Sequence, residues 1–284
     1  MSTLFKKLNK FIKNPWKGYR YVRNNVRSSY TDNIEYIKEQ NIVWHTCTPK
    51  SASSFWDIFC LAVLNKKKIK TNYFDAVPIT HARQKLFLFT DHPGCSSYVR
   101  SQIAPFQELC FSSHQNVLAS FYFLDMLSNK HTVVCQTRPI LDTLVSLLDF
   151  YDAGNSRNPW SPVVHRYWNK LSFQEKIDNI VESYLPWHLY YLQTWILASD
   201  NYDVKFLFFD DVVGNTQKCF NEVLSRWDLT LEKEDTPTLE TLDSWKNDGQ
   251  FGQIKFNKGI SGQGKSVLPE KTIEHIISIV KKTD

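Results

Sequence analysis

Apolar residues along this chain form short continuous runs that alternate with longer stretches of helical periodicity. Four runs are rich in β-branched and aromatic residues and are typical of buried strands: 43–48, 86–90, 133–137 and 204–209. Strands that are apolar on both faces and are separated by helices favour a parallel sheet covered on both sides. The 284 residues therefore predict an α/β domain with a central, mostly parallel sheet flanked by helices.

The junction after the first predicted strand is the most informative part of the chain. Residues 41–48 end at Pro49, and an apolar helix is predicted from Phe55. The loop between them consists of Lys50, Ser51, Ala52, Ser53 and Ser54. A strand, a loop of small residues and a helix aim backbone N–H groups at an anion. Lysine adds a positive charge and the serines add hydroxyl donors, so the sequence predicts a phosphate-binding loop.

This loop resembles the 5′-phosphosulfate loop of the sulfotransferases that use 3′-phosphoadenosine 5′-phosphosulfate (PAPS), which reads similarly to Pro-Lys-Ser-Gly-Thr-Thr-Trp. Ala52 stands in place of the family's glycine, and Phe55 stands in place of its tryptophan. The resemblance implies a P-loop-like sulfotransferase fold, and it implies that the residues that bind the cofactor include Lys50, Ser51, Ala52, Ser53, Ser54 and Phe55. Phe55 either stacks on adenine, which the resemblance favours, or packs in the core.

Two further segments resemble the same family. The strand at 133–137 ends in Arg138-Pro-Ile-Leu-Asp-Thr-Leu-Val-Ser146, and the resemblance implies that Arg138 and Ser146 bind the 3′-phosphate. An arginine at a strand tip can fork onto a phosphate, and Ser146 lies about two turns into the next helix. Residues 256–262 resemble an Arg-Lys-Gly-x-x-Gly segment that wraps the same phosphate, which implies roles for Asn257, Lys258 and Gly259. Asn257 replaces the usual arginine, which removes one charge-assisted contact.

The chemistry expected from this resemblance is the transfer of a sulfuryl group. Lys50 is predicted to neutralise the leaving oxygen, and His114 is predicted to be the base that accepts the proton of the acceptor. His114 ends a short apolar run at 109–114, which resembles a family strand ending in Lys-Thr-His, with Ser112 in place of the lysine. His45 lies inside the first strand, where a structural role is predicted. No metal is expected, because the mechanism needs none and no HExxH motif, paired carboxylates or Cys/His cluster suggests one.

The predicted function is therefore that of a PAPS-dependent sulfotransferase. It would transfer the sulfuryl group to a hydroxyl group or an amine of a small-molecule, glycan or lipid acceptor and release the product PAP. One alternative is a nucleotide phosphotransferase, because 259–266 satisfy the P-loop pattern Gly-x-x-x-x-Gly-Lys-Ser and contain Lys265. The short, polar stretch before this pattern and the short tail after it disfavour that alternative.

Charge is concentrated at the N-terminus. The net charge is only +5, yet residues 1–30 carry eight basic side chains and no acidic one, with apolar residues interleaved at near-helical spacing. We therefore predict an N-terminal basic amphipathic segment, 1–30, and a sulfotransferase domain, 31–284. The segment either docks on the domain or lies on an anionic membrane, which leaves a non-catalytic membrane-surface protein as a third functional class.

Other features of the sequence bound the cellular setting. No nucleic-acid-binding motif is present, so no nucleic-acid partner is expected. Six cysteines without a Cys-x-x-Cys pair predict buried free thiols in a reducing compartment. No run approaches 18 apolar residues, and the N-terminus lacks the apolar stretch of a secretory signal. A cytoplasmic protein is therefore expected.

Overall fold

The computed structural model describes residues 30–66, 71–74, 99–100, 103, 109–153, 167–236, 238 and 261–282. Within these residues, five parallel strands form a central sheet. The strands are β1 (Ile42–Cys47), β2 (Thr71–Phe74), β3 (Leu109–Gln115), β4 (His131–Thr137) and β5 (Val204–Phe208). They lie in the order β2-β3-β1-β4-β5, and every neighbouring pair is parallel. The prediction of a parallel α/β sheet is confirmed. The predicted strand at 86–90 and the segment 1–29 lie outside the described residues, so the division at residue 30 stays a prediction.

Helices connect and cover the strands. The described helices are α1 (Ser53–Lys66), α2 (Phe121–Asp125), α3 (Ile140–Asp152), α4 (Phe173–Ala198), α5 (Phe209–Gly214), α6 (Thr216–Leu224), α7 (Gln263–Val267) and α8 (Glu270–Val280). Residues 30–38 are also helical, and single 3₁₀ turns occur at Trp168–Lys170, Ser225–Trp227 and Lys233–Asp235. The long helix α4 begins with a capping box, in which the Ser172 hydroxyl accepts from the Glu175 backbone N–H and the Glu175 carboxylate accepts from the Ser172 backbone N–H.

The central strands are buried on both faces. All residues of β1 and β4 are buried, as expected for strands covered by helices on each side. Alternation along β1 places Trp44 in a cluster with Phe123 and Trp195 on one face, while Val43 packs with Trp56 and Phe220 on the other. A third cluster joins α3, α4 and α8, and from the aromatic-rich region between 160 and 195 it contains Trp168, Tyr184 and the partly buried Trp187.

The strand order creates a crevice at one edge of the sheet. The chain leaves β1 towards β2 and β3, whereas it leaves β4 towards β5, so the loops after β1 and β4 diverge. In open α/β sheets, ligands bind outside the carboxyl ends of the strands at such a switch point. The loop that contains Lys50 follows β1, and Arg138 follows β4, so the fold places both predicted site residues at this position.

Candidate active site

The loop after β1 has an unusual backbone. Lys50 and Ala52 have positive φ angles of 64° and 68°, and Ser51 between them is fully buried. The Ser51 hydroxyl donates to the Thr48 carbonyl at 2.6 Å, which closes the loop on itself. A left-handed conformation costs a residue with a Cβ atom roughly 1–2 kcal/mol, and such conformations occur in concave arrays of N–H groups that bind anions. The residue that replaces glycine in the resemblance, Ala52, therefore stands where glycine would be less strained.

Gln136 of β4 holds this loop against the sheet. Its side-chain amide donates to the Ser51 carbonyl, and its backbone carbonyl accepts from the Thr48 N–H at 2.9 Å. Its side-chain oxygen lies 2.9 Å from Nε2 of His45. Sequence reasoning missed Gln136, although a glutamine inside an otherwise apolar buried strand is a signal that could have found it.

Two cations converge on the crevice. The Arg138 guanidinium donates to the Lys50 carbonyl at 3.3 Å and lies over the Phe209 ring, with its central carbon 4.0 Å from the ring centroid. Burial and the positive charge of Arg138 lower the pKa of Lys50 to about 8, against a smaller opposite effect of Asp149. Burial also lowers the pKa of Arg138. Asp149 acts favourably on Lys50, and Asp142 and Asp210 act favourably on Arg138, yet the pKa values of both cations are still lowered, so this position suits a further, polyvalent anion.

Buried hydroxyl groups face the same end of the sheet. Ser146 is 2% exposed, and its hydroxyl has no hydrogen-bond partner among the described residues; the buried hydroxyls of Thr48 and Thr137 also lack a partner there. Thr48 follows β1, Thr137 ends β4, and Ser146 lies two turns into α3. A buried hydroxyl without a partner costs free energy that a phosphate oxygen could recover. The predicted site residues Lys50, Arg138 and Ser146 therefore fit a phosphorylated ligand.

The N-terminus of α1 completes the loop. The helix begins with Ser53 and Ser54, and the first backbone N–H groups of a helix have no partner within it. The Phe55 N–H is an exception, because it donates to the Ala52 carbonyl at 3.0 Å. The Phe55 side chain is 2% exposed and packs in the cluster of Val43, Trp56 and Phe220. The structure thus has Phe55 in the core, and its contact with adenine stays a prediction.

His114 lies near the carboxyl end of β3, beside β1. The pairing of the two strands shifts by one residue, from Val43 opposite Phe111 to His45 opposite His114. At this irregularity the Ser112 hydroxyl accepts from the His45 N–H at 2.8 Å, and the Ser112 carbonyl accepts from Nε1 of Trp56 at 2.8 Å. Ser112 therefore has a structural role in place of the family's lysine.

His45 is buried and stacks on a neighbouring ring. Its imidazole is 1% exposed and lies parallel to the Trp56 indole, with ring centroids 4.4 Å apart. The predicted structural role of His45 is confirmed.

The segment 261–267 is bound to α3, the helix that follows Arg138. Both oxygens of the Asp142 carboxylate accept backbone hydrogen bonds, from the N–H of Gly262 at 2.8 Å and from that of Gly264 at 2.7 Å. Gly264 packs so closely that an added Cβ would lie 2.4 Å from Cβ of Leu141. The Ser261 hydroxyl donates to Asp210. Sequence reasoning gave Asp142 no role, because its partner Gly262 lies 120 residues away in the sequence and only the fold brings the two together.

The carboxylates that bind the segment 261–264 also act on Arg138. Asp142 accepts from the Gly262 N–H, and Asp210 accepts from the Ser261 hydroxyl. Burial lowers the pKa of Arg138, whereas the charges of these same two carboxylates favour its protonated form and so act to raise that pKa. Asn257, Lys258 and Gly259 themselves lie outside the described residues, so their contacts stay predictions.

The same contacts disfavour a phosphotransferase that uses Lys265. In a P-loop the backbone N–H groups bind phosphate, but here those of Gly262 and Gly264 bind Asp142. Lys265 is exposed on the five-residue helix α7.

In the described part of the chain, no group of three or more His, Cys, Asp or Glu side chains could hold a metal ion. No helix within the described ranges is long and apolar enough to cross a membrane. Five cysteines (47, 60, 110, 135 and 219) are buried free thiols, as predicted, and burial raises the pKa of Cys110 and Cys135 to about 12.

Comparison with solved structures identifies the fold. The structure is similar to mouse sulfotransferase SULT7A1 complexed with PAP, with a TM-score of 0.55, 11% sequence identity and coverage of 88% of each chain. It is also similar to retinol dehydratase in complex with androsterone and inactive cofactor PAP, with a TM-score of 0.53, 12% identity, and coverage of 89% of this chain and 84% of that one. The chain has a sulfotransferase fold. The predicted fold is thus confirmed, although no protein-family model and no curated protein sequence matches the chain.

Proposed function

We propose that this protein is a PAPS-dependent sulfotransferase that transfers a sulfuryl group to a hydroxyl group or an amine of an acceptor and releases PAP. One observation carries the proposal. Arg138 contacts the Lys50 loop at the switch point of the sheet, and Ser146, whose buried hydroxyl has no hydrogen-bond partner among the described residues, lies on the helix after Arg138, in a fold shared with proteins solved with PAP. Bound PAPS would supply the sulfuryl group. The residues of the chain would bind the cofactor, orient the acceptor and neutralise the charge on the leaving oxygen.

The residues after β1 would serve the 5′ side of the nucleotide. The N–H groups of Ser51 to Ser54 and the first turn of α1 form a positive end for a phosphate. Lys50 would neutralise the negative charge that grows on the leaving oxygen, an effect that is strong in a water-poor site. The half-buried position of the Lys50 side chain supports this role.

The residues after β4 would serve the 3′ side. Arg138 offers a planar fork of donors, and Ser146 offers a hydroxyl donor from the next helix. Lys258 and Gly259, together with Asn257, would close over the same phosphate. The support for this is that the segment immediately after them is bound to Asp142 and Asp210, next to Arg138.

His114 is the proposed base. Its place near the carboxyl end of β3, directly beside β1, brings its backbone to the edge of the sheet from which the Lys50 loop begins. A neutral imidazole there could accept the acceptor's proton as the sulfur–oxygen bond forms.

The proposed acceptor is a small molecule, a glycan or a lipid. Androsterone in the retinol dehydratase complex shows that the fold can hold an apolar small molecule, which supports the first of these. We further propose a cytoplasmic location, with residues 1–30 either docked on the domain or in peripheral contact with a membrane.

A screen of acceptors with PAPS tests this function. Release of PAP that depends on an acceptor, and that falls by about 100-fold or more in His114→Ala, is the expected result. ATP turnover that is lost in Lys265→Ala but kept in Lys50→Ala would instead favour the phosphotransferase. Liposome binding that requires residues 1–30, without any binding of PAP, would favour the membrane-surface protein.

A further inference from the structure

One face of α3 carries three residues that lie on successive turns, Asp142, Ser146 and Phe150. Asp142 binds Gly262 and Gly264, and Ser146 presents its buried hydroxyl. Phe150, one turn further, lies beneath the Lys50 ammonium group, whose nitrogen is 4.6 Å from the centroid of the ring. The helix therefore contacts Lys50 itself, and not only the segment on the far side of the site.

We propose that Phe150 is a positioning residue, whose ring holds the charged Lys50 ammonium group one helical turn from Ser146 before a ligand binds. The contact is a property of the protein alone. Its meaning for sulfuryl transfer rests on the function proposed above.

The physical need for such a contact follows from the surroundings of Lys50. A lysine side chain is long and flexible, and this one is half-buried beside the positively charged Arg138. An aromatic face attracts an ammonium group through its quadrupole, and the attraction grows as water is excluded. Asp149, the residue before Phe150, adds a negative charge that favours the same protonated state.

These opposing effects leave the pKa of Lys50 only slightly above neutral pH. Burial and Arg138 together lower the pKa of Lys50 to about 8, despite the opposing effect of Asp149. Lys50 is thus mostly protonated at neutral pH and about half protonated near pH 8, and the loss of one favourable contact would lower its protonated fraction at both pH values. If the ring stabilises the charged form, its removal must move the titration of Lys50 to lower pH.

The chain offers a matched control. Phe209 lies under Arg138 as Phe150 lies under Lys50, with 4.0 Å between the guanidinium carbon and the ring centroid. An arginine stays protonated throughout the working pH range, so the loss of the Phe209 ring should not move the titration of Lys50.

The test measures how fast Lys50 reacts with acetic anhydride at different pH values, because only the neutral amine reacts. Full-length wild type, Phe150→Leu, Phe150→Trp and Phe209→Leu are labelled without ligand from about pH 6 to about pH 10, and Lys50 acetylation is read by peptide mass spectrometry. Wild type should reach half-maximal reactivity near pH 8. Phe150→Leu should shift this midpoint down by about half a pH unit, a roughly threefold gain in reactivity at neutral pH, whereas Phe150→Trp and Phe209→Leu should not.

A midpoint in Phe150→Leu that stays in place or rises would overturn the proposal. If Phe150→Leu fails to fold, Phe150→Met decides, because it also removes the ring and should lower the midpoint relative to that of Phe150→Trp. Titration of PAP into the same proteins separates the two proposals. If neither wild type nor any variant binds PAP, the proposed sulfotransferase function is contradicted. The labelling result still decides the role of Phe150.

Discussion

Two segments of this protein look alike in sequence and differ in structure. Residues 49–55 and 259–266 each combine a lysine with small residues and serines. The first follows a buried parallel strand and leads into α1, and its lysine lies beside Arg138. Of the second, the described part has an exposed lysine and backbone N–H groups that bind Asp142.

The difference shows what makes a loop an anion site. A small-residue loop binds phosphate when its N–H groups remain available and cations surround it. In the first segment the fold supplies Arg138 and the free end of a helix. In the second it supplies a carboxylate, which occupies those donors and would repel an anion.

The largest expected effect distinguishes the two lysines. Lys50→Ala should lower the affinity for PAP at least about tenfold, because it removes a charge-assisted contact from a partly desolvated site. Lys265→Ala is the matched control and should leave the affinity unchanged, since the Lys265 side chain is exposed on α7. Calorimetry on both variants measures the effect, and the reverse pattern would show that the second segment is the anion site.

The packing of the second segment predicts a change in stability. An alanine at position 264 would place its Cβ 2.4 Å from Cβ of Leu141, and 2.5 Å from its backbone carbon, which cannot move away easily. Gly264→Ala should lower the free energy of unfolding by about 1–3 kcal/mol. Gly214→Ala is the control, because a Cβ there meets nothing within 4 Å. Urea denaturation curves that coincide for the two variants would contradict this packing.

The pH dependence of PAP binding sharpens the comparison further. The pKa of Lys50 is lowered to about 8, so its charge is present below that pH and is lost as the pH rises through it. Affinity should fall about tenfold between about pH 7 and about pH 9 in wild type and should be nearly flat over this range in Lys50→Ala. A similar fall in both proteins would assign the titration to another group.

The smallest expected effect concerns Ala52. Ala52 has a φ angle of 68°, so Ala52→Gly relieves a strained backbone conformation and stabilises the folded state. Glycine also has more conformational freedom in the unfolded chain, which offsets part of this stabilisation. The variant should be more stable than wild type by about 0.5–1 kcal/mol. Ser51→Gly, in contrast, loses the hydrogen bond to the Thr48 carbonyl and should be less stable by about 1 kcal/mol. Thermal unfolding of both variants tests this, and a destabilised Ala52→Gly would contradict the strain.

Much of the fold could be predicted because its signals are local. The apolar runs at 43–48, 133–137 and 204–209 correspond to β1, β4 and β5 within two residues at each end. Strand β2 was not predicted, since four residues are too few for a periodic pattern to emerge. The irregular pairing of β3 with β1 also could not be predicted, because it depends on which residues of two distant strands face each other.

The candidate site was predictable where a residue's role depends on its place at a strand or helix end. Lys50 and Arg138 are of this kind, whereas Ser146 was predicted from its spacing after Arg138; the fold brings the elements that carry Lys50 and Arg138 together. Gln136 and Asp142 were missed because each acts on a backbone segment far away in the sequence. Phe55 shows the opposite case, since the sequence favoured adenine stacking, while its position in the cluster of Trp56 and Phe220 became clear only from the packing.

The measurement that tests the account most directly is calorimetric titration of PAP into wild type and Arg138→Ala. Arg138 is chosen because its guanidinium contacts the Lys50 loop and is acted on by the charges of Asp142 and Asp210, the carboxylates that bind the second segment. The account predicts tight binding to wild type and a loss of at least about tenfold in Arg138→Ala. A folded wild-type protein that does not bind PAP would contradict the sulfotransferase function.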